Sequence, residues 1–260
     1  MGQAHQFWIP DLFGYMVVFL RFAGVISLMP GLSESYVNPQ VRLWLAFTLA
    51  LIATPLVSNL PPFPDQPGMF VGILVSEYCI GLFLGMIMRI MLSALDVAGA
   101  MIGFQMNLSN AFAEGVASSQ QVALPGVFLG VIAVVLMFVM DLHAIILRGL
   151  LNSYNIFPAG LSLDFTAFSG DVSQILLDIL QQSFILAIQI ASPVIIVTLL
   201  IFFGGGVINR LVPQIQIFFV LQPLQIFIGF FALFATLHVL MPHFMSAFTN
   251  SLITFFHITV

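Results

Sequence analysis

Ionisable side chains are scarce in this chain of 260 residues, and several of them interrupt long apolar runs. Arg21, Glu77, Arg89, Asp96, Asp141 and Arg148 all lie in or beside such runs. A charge held among apolar residues is costly and is by default a functional candidate, either as half of an ion pair or as a step in a proton relay. Glu77 and Arg89 are twelve residues apart, about 18 Å along a helix, so they do not pair with each other. Asp141 and Arg148 are two turns apart. Pairing with another helix or another chain is the favoured reading, because no helix presents a close set of carboxylates and histidines. His238 and His243 flank Pro242 at a spacing that does not put them on one face, and no zinc-binding pattern occurs. There is no lysine, which removes Walker-type and Schiff-base chemistry, and no Gly-x-Ser-x-Gly elbow. The lone Cys79 lies in an apolar run and is read as packing. No enzyme, cofactor or metal is expected.

The elements that must hold these residues are hydrophobic. The chain is 61% hydrophobic and 6% charged, with a mean hydropathy of +1.15. Soluble domains carry roughly 25% charged residues, so an integral membrane protein is expected. A net charge of −5 with no basic patch argues against nucleic acid. The N-terminal residues show no basic region or cleavage site, and no removable signal is expected there.

A membrane-crossing helix needs about 20 apolar residues. Candidate runs are Leu12–Met29, Leu43–Leu60, Met69–Leu95, Val122–Leu151, Val172–Ile208 and Ile215–Leu240. They predict an all-α, polytopic membrane-type fold with about six membrane-length helices, as one integral membrane domain over 1–260. Val97–Leu108 is apolar but short, and residues 152–171 read as a loop. Pro193 and Pro223 predict breaks, and a Phe-, Thr- and Ser-rich tail follows Leu240. Three small-residue patterns, Gly81/Gly85, Gly99/Gly103 and Gly126/Gly130, place glycines four apart, where a second helix can approach closely. Whether that helix belongs to the same chain or to another subunit is left open. Between two of these patterns lies GFQMNLSNAFAEGVASSQQVALPG (103–126), polar and small-sided in an otherwise oily chain.

Several stretches together resemble one family in its own order. They are Arg21-FAGVISLMP with NPQVRLWLAFTLALIATP, Glu77-YCIGLFLG, AGAMIGFQMNLSNA and INRLVPQIQIFFVLQPLQIFIG, which contains Arg210, Pro213 and Gln214. The ordered set is similar to the FliR/SctT family of type III export-gate subunits and covers essentially the whole chain, including Arg21, Arg42 and Glu77. The resemblance implies a non-enzymatic subunit of a flagellar protein export gate in the bacterial inner membrane, at the flagellar basal body. It implies long kinked hairpins, with a FliP-like portion followed by a FliQ-like portion. The implied partners are FliP-like and FliQ-like subunits, an FlhB-like protein, membrane lipid and exported unfolded flagellar proteins. It further implies a pore plug made of Asn110, Ala111, Phe112, Ala113, Glu114, Gly115, Val116, Ala117, Ser118, Ser119 and Gln120. Many members carry Asp-Pro in that loop, where this chain has Glu114-Gly115. A secondary transporter of a small solute, with broken helices around a midplane site, is the main alternative. The equivalent virulence-secretion gate subunit is another, and an intramembrane hydrolase is a distant third.

Overall fold

A computed structural model describes residues 2–34, 36–57, 60–108, 124–160, 165–211 and 217–256; for residues 2–11, 165–171 and 217–220 it describes the backbone. Among these residues the regular structure is helical. The helices are α1 (Gly2–Leu28), α2 (Pro39–Ala53, followed by a 3-10 turn at Thr54–Leu56), α3 (Pro67–Gln105), α4 (Leu124–Val139), α5 (Leu142–Ile156), α6 (Phe165–Leu211) and α7 (Ile217–Phe256).

Local sequence explains the boundaries. The α2 helix starts where the Asn38 side chain accepts from the Gln40 amide and Pro39 takes the first helical position. A different device ends α4: Asp141 adopts a left-handed conformation (φ 55°), and α5 sets off at 75° to α4. Helix α6 runs on through Pro193. The proline ring removes one backbone donor, and the carbonyl of Gln189 accepts from Ser192 Oγ at 2.8 Å instead.

Among the described residues, four helices are long and apolar enough to cross a membrane: Pro39–Leu56, Pro67–Gln105, Val172–Leu211 and Leu221–Phe256; the bent α4–α5 pair makes a fifth if it counts as one span. Of the six runs expected from the sequence, the described residues thus account for four spans, or five with the bent pair. Helix α1 spans 27 residues, of which Leu12–Leu28 is the apolar stretch with described side chains, and the expected run Val122–Leu151 is broken at Asp141. The two adjoining runs from Met69 to Leu108 merge into one helix of 39 residues ending at Gln105. The expected loop at 152–171 is much shorter, since α5 continues to Ile156 and α6 begins at Phe165. The expected tail is helical to Phe256, with Phe244, Phe248, Leu252 and Phe256 forming a buried stripe at four-residue spacing.

The chain forms two compact units. The first comprises residues up to Met91, Phe138–Ile179 and Thr249 onwards; the second comprises Leu92–Met137 and Leu180–Phe248. In the first unit, Phe13, Val17 and Ile73 form a buried cluster covered by Leu60, Phe70, Leu74 and Ala159. The ring of Phe83 stands edge-on to Phe157 and Phe255, and Phe256 packs over Gly149. Helix α2 buries only Ala46, Ala50 and Ala53 while exposing Leu43, Trp44, Leu51 and Ile52. In the second unit, α3 buries Ala94, Leu95, Ala98 and Ile102, α4 buries Leu129, Ala133 and Met137, and α6 buries Ala187, Ile190, Ala191 and Val194. The opposite faces of α4, α6 and α7 leave large apolar side chains uncovered in the isolated chain, among them Phe203 and Phe227. A surface this apolar has to be covered by lipid or by protein.

Candidate functional site: a buried ion pair and close helix crossings

Glu77, Gly81 and Gly85 are four residues apart and therefore share one face of α3. The backbone of α1 lies directly on that face. The Arg21 carbonyl sits against Gly81, where a Cβ would collide with it, and a Cβ at Gly85 would stand 2.8 Å from Leu28 Cβ. Gly24 on α1 returns the contact, with a prospective Cβ 2.7 Å from the Tyr78 carbonyl. This backbone-to-backbone approach carries Arg21 alongside Glu77.

There the two side chains form an ion pair, with Arg21 Nε 2.7 Å from Glu77 Oε2 and both side chains fully buried. The guanidinium also donates from Nη1 to Ser153 Oγ (3.2 Å) and from Nη2 to the Phe157 carbonyl (3.0 Å). Its Cζ lies over the Tyr154 ring, 3.8 Å from the centroid. The other Glu77 oxygen, Oε1, accepts from the Gly160 amide at 3.1 Å. One ion pair thus joins α1, α3, the end of α5 and the turn after it. Buried charges are tolerated when paired and hydrogen-bonded in this way. The buried Tyr154 hydroxyl is the exception, with no hydrogen-bond partner among the described residues. A carboxylate with both oxygens engaged fixes the geometry of the elements that hold it.

A second charged cluster is more open. Arg89 on α3 donates to Ser33 Oγ (3.0 Å) and pairs with Glu34 (2.9 Å), with side-chain exposures of 44% and 32% for the ion pair. Arg42 on α2 donates to the Glu34 and Val37 carbonyls. The link between α1 and α2 is therefore tied to α3 by Arg89 and to α2 by Arg42.

In the second unit, Gly99 of α3 and Gly126 of α4 cross with their backbones in contact, and a Cβ at Gly126 would meet Asp96 at 3.4 Å. Gly103 is buried on the same helix, whereas nothing among the described residues lies within 4 Å of a Cβ at Gly130. Four of these glycines, Gly81, Gly85, Gly99 and Gly126, meet helices of this same chain; Gly130 meets none of the described residues.

Asp96, Asp141, Arg148 and Arg210 are exposed in the isolated chain. Residues 110–120 lie outside the described residues, as do Pro213 and Gln214. Ser153, Tyr154, Gly160 and Glu34 had no signal of their own in the sequence. For Glu77 there was one: the four-residue spacing Glu77–Gly81–Gly85 marks the carboxylate as lying on a helix-contact face.

The family profile described as "Bacterial export proteins, family 1" matches residues 12–251. The chain belongs to this family. The family match takes in Arg21 and Glu77, both glycines of the Gly99–Gly126 crossing, and Gln225. Among individual relatives, the flagellar biosynthetic protein FliR of Caulobacter vibrioides is 32% identical over 216 residues, covering 82% of this chain and 84% of that protein. The protein of the same name from Bacillus subtilis is 28% identical over 236 residues, covering 89% of each. The Yop proteins translocation protein T of Yersinia pestis is 25% identical over 221 residues, covering 82% of each. Membership in the bacterial export family, together with the long apolar helices, makes the chain an integral membrane component of an export apparatus.

Proposed function

We propose that this chain is a non-enzymatic subunit of the flagellar type III protein export gate, helping to form and close a pore through which unfolded flagellar proteins pass. The observation that carries this reading is the match over more than four fifths of both chains to proteins named for flagellar biosynthesis. A translocation protein of a virulence system is also matched, at lower identity, so the flagellar assignment is preferred to the injectisome one. The engaged Arg21–Glu77 pair favours a structural subunit over a small-solute transporter, which would need titratable groups left available along its path.

On this reading the subunit sits in the bacterial inner membrane at the flagellar basal body. Its neighbours are FliP-like and FliQ-like subunits and an FlhB-like protein. Its own chain comprises a FliP-like portion followed by a FliQ-like portion. The apolar faces of α4, α6 and α7, uncovered in the isolated chain, are the surfaces that lipid and these neighbours occupy. The stretch Asn110–Gln120 acts as the plug of the closed gate; its small, hydrogen-bonding residues suit backbone that lines a watery path, where non-helical segments are tolerated.

Purification from membranes in a mild detergent, followed by mass spectrometry of co-purifying proteins, tests the proposal. FliP-like and FliQ-like partners are the expected result. A homodimer without other subunits would overturn it in favour of a transporter.

A further inference from the structure

Two of the stretches that stand out in the sequence, IGFQM (Ile102–Met106) and LQPLQIFIG (Leu221–Gly229), are about 120 residues apart and meet within the second unit. Gln225 is buried, 3% exposed, and its Nε2 donates to the main-chain carbonyl of Gln105. Gln105 is the last residue of α3, and the final carbonyls of a helix have no partner within the helix. The chain then turns. Met106 donates to the Ile102 carbonyl, Asn107 donates to the Phe104 carbonyl, and Asn107 adopts a left-handed conformation (φ 56°).

Four residues beyond Gln225, Gly229 leaves a notch that Met106 fills. A Cβ at 229 would stand 2.7 Å from Met106 Cγ and 3.1 Å from its Sδ and Cε, and Met106 is fully buried. Leu233, four residues further on, continues the buried face of α7. An amide side chain is costly to bury unless it is hydrogen-bonded, and an aliphatic residue would fill the same space. The arrangement on α7 therefore has two complementary parts: a donor for a carbonyl at the helix end and a gap for the side chain that follows it.

We infer that Gln225 and Gly229 are positioning residues: they form a seat on α7 that fixes where α3 ends and how the chain leaves it at Met106–Leu108. The geometric claim goes beyond the gate reading and stands without it. The functional consequence, that export depends on this exit being fixed, rests on that reading.

The test uses the full chain in its native membrane with Cys79→Ser as background. Oxidation of a Met106→Cys/Gly229→Cys variant should form an intrachain cross-link, and failure to cross-link overturns the seat. Labelling of a Leu108→Cys variant by a thiol reagent should then accelerate several-fold when Gln225→Met removes the donor while keeping the shape. A Leu129→Cys variant in the core of the same unit should show no such change. Equal acceleration at both positions, or none at 108, overturns the positioning role. Gly229→Ala should impair export and the added Met106→Ala should restore it, because the shorter side chain vacates the notch. Failure of that rescue counts against the seat, whereas altered labelling at 108 with unchanged export keeps the seat and counts against the gate reading.

Discussion

Arg21 and Glu77, 56 residues apart in sequence, stand 2.7 Å apart on two helices whose backbones touch, and neither side chain reaches solvent. The same guanidinium holds Ser153 and the Phe157 carbonyl, so α5 depends on a contact between α1 and α3. Removing one member of a buried pair leaves the other charge unpaired, at a cost of about 3–5 kcal/mol, whereas replacing both by apolar residues of similar volume is far better tolerated. Arg21→Met and Glu77→Met should each sharply lower the thermal midpoint of the detergent-solubilised protein, and the double variant should recover much of the loss. A double variant as unstable as the sum of the two singles would show that the charges do not depend on each other.

The Arg89–Glu34 pair should behave differently, because it is partly exposed. Such pairs contribute about 0–1 kcal/mol and are screened by salt. Arg89→Gln should shift the thermal midpoint only slightly, and less at high ionic strength. A loss comparable to that of Glu77→Met would mean that the Ser33–Glu34 link has a larger role than its exposure suggests.

The glycines divide by what faces them. Gly81 is already covered by α1, with the Arg21 carbonyl in the way of any added side chain. Gly81→Leu should therefore prevent the chain itself from accumulating in membranes, beyond any weakening of subunit association. Gly130 meets nothing within 4 Å among the described residues, so Gly130→Leu should leave the thermal midpoint of the purified chain nearly unchanged. If that open face packs against a neighbour, Gly130→Leu will reduce the yield of co-purifying subunits. Normal accumulation of Gly81→Leu would contradict the α1–α3 crossing.

Deleting Asn110–Ser118 should leave the assembly intact and make the closed gate leaky to small ions. Ion flux into cells or vesicles measures this, with assembly checked by native gel. Unchanged flux through an intact assembly would remove the plug from the proposed function.

The membrane character and most of the helices were legible because apolar runs are long and charge is rare. The crossing glycines were legible too, at spacings of four. Their partners were not, since a glycine shows that something comes close without showing what; here it is the chain's own α1 and α4. The helical continuation to Phe256 was misread because Thr, Ser and His diluted a Phe244–Phe248–Leu252–Phe256 stripe that burial makes plain. Arg21 and Glu77 could be picked out as costly charges, but their pairing depends on a tertiary crossing between distant parts of the chain. Ser153 and Gly160 are ordinary residues whose roles come only from where α5 ends. Gln225 lay within the most family-like stretch, yet nothing in the sequence indicates that its amide serves a helix end 120 residues away.

The first unit is assembled from separate stretches of chain, and Phe256 closes it by packing on Gly149 while its carbonyl accepts from Asn152. During synthesis, Arg21 and Glu77 emerge long before that closing helix exists. The early helices must therefore wait in the membrane with the Gly149 face open until more than a hundred further residues have been added. A ribosome stalled before α7 would leave that face uncovered and α1–α3–α5 without its closing aromatic. Only a chain translated through Phe256 can finish the unit that begins at its N-terminal helix.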